Sequence, residues 1–172
     1  MSTTLYELCV PGYLQTLGAV AGFLEKGRLH CQSAGIDPTS IVDARLAPDM
    51  LPFRFQIVSV AHHSLGTIRA LESGRFGPPT DAGLDYSALQ KMVVETRDAL
   101  KNLSADEINR HAGRDVLFQM GEMKLPFTAE DFVLSFSLPN FYFHAATAYD
   151  ILRMKGAPLG KGDFLGAMRM KR

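Results

Sequence analysis

The chain has no tryptophan, only two cysteines and no excess charge of either sign in its 172 residues. Cys9 and Cys31 match neither a disulfide framework nor a zinc-binding spacing. Because eighteen basic residues balance eighteen acidic ones, charge gives no reason to expect a nucleic-acid partner. No apolar run approaches the roughly 20 residues that cross a bilayer, and Glu7 and Pro11 interrupt the N-terminal apolar residues, unlike a signal peptide. We therefore expect a cytoplasmic globular protein that does not act at membranes.

What the sequence does contain is helical periodicity, with apolar residues recurring at three- and four-residue steps. We predict four long helices, at about 4–34, 53–73, 85–102 and 129–155. The last contains Pro139, where we expect a kink. Before this helix, apolar and polar residues alternate on both sides of residues 121–122. This pattern predicts a β-hairpin at about 115–127, with its turn at 121–122. A tail at 156–172 follows. The pattern predicts one domain, 1–172: an all-α four-helix bundle with a small β-hairpin between helices 3 and 4.

The fourth helix carries polar residues within its apolar stripe. A rotation of about 100° per residue from Val133 places four of them on the inward face: Ser137, Asn140, His144 and Thr147. Asn140 and Thr147 lie four and three residues from His144, so the three side chains can converge on one point. We expect His144 to be buried there, with a pKa lowered by desolvation. The pattern indicates either a hydrogen-bonded core network or a ligand pocket.

Two other groups are candidates for a site. Adjacent helical residues diverge by about 100°, so at most one of His62 and His63 enters the core. His62 flanks the apolar stripe of the second helix, whereas His63 points further away. Arg45 and Asp49 lie beside apolar residues in the connector before that helix. They either hold this loop to the bundle through an ion pair or contact a substrate.

Four blocks of sequence carry a resemblance to a known family: RLAPDM at 45–50, LPNFYFH at 138–144, TAYDILR at 147–153 and GKGDFLG at 160–166. Together they resemble an uncharacterised bacterial domain family that is grouped with the DinB/YfiT-like metalloenzymes. The resemblance covers essentially the whole chain and implies a DinB-like four-helix bundle, often dimeric. Its better-known relatives hold a divalent metal such as zinc or nickel with three histidines, one from helix two and two from a His-x-x-x-His pair on helix four. Some use it for thiol-dependent transfer or isomerisation.

This chain departs from that metal-binding pattern. His144 matches one helix-four ligand, but the residues four positions before and after it are Asn140 and Ala148. Asparagine is a poor ligand for transition metals and alanine is none. His62 or His63 can supply a second imidazole, yet two histidines and water make a weaker site than three. We therefore predict that the protein retains no stoichiometric transition metal.

Three functions are consistent with the sequence. In the first, a degenerate metal site around Asn140, His144 and Thr147 binds a small molecule. In the second, a metal-dependent hydrolase or thiol-dependent transferase uses His144 and a helix-two histidine. In the third, a non-catalytic homodimer acts through its surface.

Two features of the sequence favour a homodimer. Gly12 and Gly18 permit close packing of the first helix, and five aromatic residues lie within twelve residues of helix four, at 132–143. The 156–172 tail can instead cover that surface.

Overall fold

The computed structural model describes residues 3–80 and 83–171, which are mostly helical with a small three-stranded sheet. The helices are α1 (Leu5–Ala34), α2 (Thr39–Val42), α3 (Phe53–Ala61), α4 (Thr67–Ser73), α5 (Tyr86–Lys101), α6 (Ala105–Asn109), α7 (Ala129–Asp131), α8 (Leu138–Met154) and α9 (Lys161–Leu165). Two π-helical turns, π1 (His62–Gly66) and π2 (Phe132–Ser137), join α3 to α4 and α7 to α8. The strands are β1 (Arg75–Phe76), β2 (Asp115–Met120) and β3 (Met123–Thr128).

Capping residues fix where the long helices begin. At α1, the Thr4 hydroxyl accepts a hydrogen bond from the Glu7 amide, and the Glu7 carboxylate accepts one from the Thr4 amide. At α5, the Asp85 carboxylate accepts from the Ala88 amide at 2.8 Å. Both contacts satisfy backbone donors that the first helical turn leaves unpaired. At its other end α1 stops at Gly35, whose φ of 66° is a left-handed conformation suited to glycine.

The sheet lies beside the helices. Strands β2 and β3 pair antiparallel, from Asp115 opposite Thr128 to Met120 opposite Met123. They occupy the region for which the sequence predicts a hairpin. The pattern gives no sign of β1, which pairs parallel to β2 and places Phe76 beside Phe118. A two-residue strand has no periodicity of its own, so only its long-range pairing reveals it.

Side chains from α1, α3, α5 and α8 form the hydrophobic core. α1 contacts α5, α8 and α9, while α3 packs against α5 and α8. Large aromatic residues fill the centre, among them Tyr13, Phe23, Phe53, Phe132 and Phe141. Among the described residues, no helix combines the length and the apolar character that crossing a membrane requires.

The segment predicted as a tail contains α9, which packs against α1. The Lys26 ammonium lies 2.7 Å from an Asp163 carboxylate oxygen. The Phe164 ring packs edge-on against Tyr149, with 5.8 Å between ring centroids. The tail therefore covers part of α1.

Candidate functional site between the second and fourth helical segments

The second helical segment is α3, π1 and α4, and the fourth is α7, π2 and α8. The structure places His63, and not His62, against the fourth helical segment. His63 is 5% exposed, and its ring stacks on that of His144 with centroids 5.8 Å apart and an interplanar angle of 18°. The expectation that His63 points away from the core is wrong. It followed only the apolar stripe of the helix, whereas Ser59 and Val60, four and three residues before His63, are also buried and lie on the same side as His63.

His62 faces the loop after β1. Its Nε2 donates a hydrogen bond to the Gly77 carbonyl oxygen at 2.7 Å, and its ring packs on Phe76. The His62 side chain is only half-buried, and burial lowers its pKa. His62 therefore does not form part of the stacked pair.

The buried amide of Gln56 orients His144. Gln56 Nε2 donates to the Leu51 carbonyl oxygen at 2.8 Å, so the amide oxygen faces His144. That oxygen lies 2.7 Å from His144 Nδ1, which must carry the proton. In the neutral ring, His144 Nε2 is then a hydrogen-bond acceptor. Sequence reasoning missed Gln56 as part of the site, because nothing in its spacing links α3 to α8.

The predicted convergence of Asn140, His144 and Thr147 is not what the structure shows. His144 is half-buried and bonds Gln56 instead of either neighbour. The Asn140 amide donates to the Phe136 carbonyl oxygen at 2.7 Å, and Thr147 is buried. The prediction treated helix four as a continuous α-helix, and π2 alters the helical spacing between Val133 and Asn140.

Ser137 belongs to a separate buried cluster of hydroxyl groups. Its Oγ lies 2.9 Å from the Tyr13 hydroxyl, hydrogen-bonds Thr67 and donates to the His63 carbonyl oxygen at 2.8 Å. Burial, the largest cause, raises the pKa of Tyr13, so this phenol stays protonated. The cluster joins α1, the second helical segment and the fourth directly behind His63, and so holds the backbone that carries the stacked ring.

Two buried polar side-chain atoms have no hydrogen-bond partner within the described ranges, 3–80 and 83–171: Ser59 Oγ and His63 Nδ1. Ser59 precedes His63 by four residues, which places both on one side of the helix. An unpaired buried polar group costs about 1–3 kcal/mol. Two such atoms beside the stacked imidazoles mark this side of the helix as a place where a bound molecule can supply the missing hydrogen bonds.

Both rings of the pair are neutral near pH 7. Desolvation, with smaller contributions from His62 and His144, lowers the pKa of His63 to about 3. Desolvation also lowers the pKa of His144 to about 4. Aromatic side chains surround the pair: Phe76 and Phe136 lie against His63, and Phe55 against His144. The site is therefore uncharged, with polar atoms between apolar walls.

Arg45 and Asp49 are exposed in the connector. Arg45 Nη1 donates to the Met50 carbonyl oxygen, which closes the loop on itself. Neither residue forms an ion pair with the other or a hydrogen bond to the stacked histidines within the described part of the chain. The predicted ion pair is absent there because a backbone carbonyl takes its place.

The residues present do not fit the three-histidine metal site that the resemblance implies. No group of three or more His, Cys, Asp or Glu side chains in the described ranges is placed to hold a metal ion. Of the nitrogen donors near the pair, His144 Nδ1 is engaged by Gln56, and His62 Nε2 by Gly77. The Asn140 amide is bonded to the backbone. The donor set is therefore two imidazoles and no anionic ligand, which is poor for a divalent transition metal.

The comparison with solved structures defines the class of the fold. The chain is similar to a DinB family member protein from Shewanella denitrificans, with a TM-score of 0.81 and 24% sequence identity over 98% of this chain and 95% of that chain. At that identity the likeness shows a DinB-like fold alone. The chain also matches the family described as "Domain of unknown function (DUF1993)" over residues 5–165, and it belongs to that family. No curated protein matches it.

Proposed function

We propose that this DUF1993 protein binds a small uncharged molecule, without a metal ion, beside the stacked rings of His63 and His144. The buried and unpaired His63 Nδ1 is the observation that carries the proposal. Because desolvation keeps both imidazoles neutral, the site has no charge with which to pair a charged ligand. Its polar atoms and aromatic walls suit a planar molecule with one donor and one acceptor.

The residues have distinct roles in this proposal. His144 Nε2 accepts a hydrogen bond from the ligand, since Gln56 holds the proton on Nδ1. His63 Nδ1 and Ser59 Oγ supply the other polar contacts. Phe55 and Phe136 provide apolar surface on either side of the pair. The half-buried position of His144 gives the ligand access from one side.

The test is a titration of the ¹⁵N-labelled protein with 2-pyridone and uracil, which are small, planar and uncharged. The ring nitrogens of each histidine are followed by two-bond ¹H–¹⁵N correlation. We expect saturable shifts for His63 and His144, and loss of binding in His144→Leu. His30, whose ring bonds the Lys155 carbonyl oxygen elsewhere, is the internal control. No saturable shift at either histidine, or equal shifts at His30, would contradict the proposal.

A homodimer is a second proposal, and the exposed aromatic side chains of α8 favour it. Tyr142 and Phe143 are 42% and 55% exposed. Gly12 serves a contact within the chain, because a Cβ there would lie 3.1 Å from the Tyr142 hydroxyl. The apolar surface for a second copy is therefore on α8, and burying it contributes about 25 cal/mol per Å² before the costs of association.

A further inference from the structure

A cleft of about 600 Å³ lies on the other side of the second helical segment from the stacked histidines. α3, π1 and α4 form one wall, α5 forms the other, and the loop at 77–80 borders it. The apolar lining includes Val58, Leu65, Met92 and Pro78. His62 lines this cleft, whereas Gln56, His63 and His144 do not. Its volume lies within the range of about 300–1,000 Å³ that is typical of sites for small organic ligands.

One cation in this cleft has no partner among the residues that the structure describes. Arg69 is exposed at the rim, and its guanidinium forms no hydrogen bond or ion pair with any residue of the described ranges. The other charged group of the lining, Glu95, lies 3.7 Å from the Lys91 ammonium. The charged residues of the described lining are therefore Arg69 and Glu95, and Glu95 is paired with Lys91 outside the lining, which leaves the Arg69 guanidinium as the unmatched charge.

We propose that this cleft binds an amphipathic carboxylic acid whose carboxylate pairs with Arg69 and whose hydrocarbon chain lies against Leu65, Met92 and Pro78. A guanidinium presents two parallel N–H donors that match the two oxygens of a carboxylate. The apolar walls give the hydrocarbon chain surface to bury. The unmatched Arg69 guanidinium favours an anion over an amine of the same length. This site is independent of the histidine pair and of the function proposed there.

The test is calorimetric titration of the full chain with decanoate below its micellar concentration, with 1-decanol and decylamine for comparison. Removing a charge-assisted hydrogen bond with Arg69→Gln should weaken decanoate binding by roughly tenfold or more. The matched control is Arg75→Gln, which changes an exposed arginine on β1 outside the cleft and should leave the affinity unchanged. His63→Leu should also leave it unchanged, which separates this site from the histidine pair.

Three results would overturn the proposal. The first is the absence of decanoate binding by the wild-type chain. The second is equal affinity for decanoate in the wild type and in Arg69→Gln. The third is binding of decylamine as tight as that of decanoate, because the cleft would then recognise the hydrocarbon chain alone. Circular dichroism of each variant verifies that the fold is retained.

Discussion

At the residue scale, one buried amide determines the chemistry of the stacked pair. Gln56 is 2% exposed and uses its nitrogen for Leu51, so its oxygen can only accept from His144. Loss of the His144 ring leaves that oxygen without its partner, which costs about 1–3 kcal/mol. The same loss removes the surface on which His63 stacks. Position 144 therefore affects both stability and binding.

Replacements of different size at position 144 separate the loss of the hydrogen bond to Gln56 from the loss of packing. We expect His144→Leu to destabilise the protein less than His144→Ala, by about 1 kcal/mol or more, because leucine fills the volume that alanine leaves as a cavity. Both variants lose the hydrogen bond to Gln56 equally, so the difference reports packing. Urea unfolding of the two variants measures it. Equal losses would contradict a packed position for this ring.

Acid should destabilise the protein through the same pair. Folding lowers both pKa values from 6.5, to about 3 for His63 and about 4 for His144. The unfolded chain therefore binds more protons below pH 6.5, and the free energy of unfolding falls as the pH decreases. Each histidine contributes a loss of about 1.36 kcal/mol per pH unit between 6.5 and its folded pKa.

The measurement is the free energy of unfolding between pH 7 and pH 4 for the wild type and for His63→Leu. Both proteins have the same acidic residues, so the contribution of these residues cancels when the two free energies of unfolding are subtracted at each pH. We expect the wild type to lose stability more steeply below pH 6.5, because only it must keep the His63 ring neutral. Parallel curves for the two proteins would show that His63 has no lowered pKa in the folded state.

At the scale of the elements, the helices show why some sequence predictions failed. Apolar periodicity predicts a mostly helical chain, and the family resemblance implies a DinB-like fold; the structure and the comparisons confirm both. The contacts of Asn140 were predicted wrongly because α-helical spacing was extended through π2, and the orientation of His63 because only the apolar stripe of its helix was followed. Gln56 and β1 were not predicted, since both act through partners distant in the chain. The periodicity of apolar residues shows which face of one helix or strand is buried. It carries no information about hydrogen bonds or strand pairs between distant parts of the chain.

The π2 turn also accounts for the tolerance of Pro139 near the middle of the fourth helical segment. A proline inside an α-helix breaks a hydrogen bond and costs about 3 kcal/mol. Pro139 instead occupies the first turn of α8, directly after π2, where the regular ladder is already interrupted. We expect Pro139→Ala to change the free energy of unfolding by less than about 1 kcal/mol, and Asp150→Pro, later in α8, to cost about 3 kcal/mol or more. Denaturant unfolding compares them, and a large gain for Pro139→Ala would contradict this account.

At the scale of the whole molecule, the α9 segment and the aromatic residues of α8 bear on assembly in different ways. α9 covers part of α1 through Phe164 and the Lys26–Asp163 ion pair. It leaves Tyr142 and Phe143 exposed. The α9 helix therefore leaves the face proposed for a dimer uncovered, whereas Arg169, after α9, lies near enough to Tyr142 for its charge to lower the pKa that burial raises.

Light scattering tests the assembly. We expect the full chain to be a dimer at micromolar concentration and Phe143→Glu to be a monomer, because a buried charge opposes the interface. Leu29→Glu, at another exposed apolar residue, should stay dimeric. A monodisperse monomer for the full chain, with aggregation only after truncation at Lys155, would instead assign the apolar surface to the tail and remove the dimer.

In the proposed function, this DinB-like protein binds its ligand at the histidine pair without a metal ion. The most direct measurement is the content of zinc, nickel and iron in the untagged protein, both as purified and after dialysis against zinc and then buffer. The account predicts far less than one equivalent of any of these metals per chain, with no difference between the wild type and His144→Ala. Near one equivalent in the wild type, lost in His144→Ala, would contradict it.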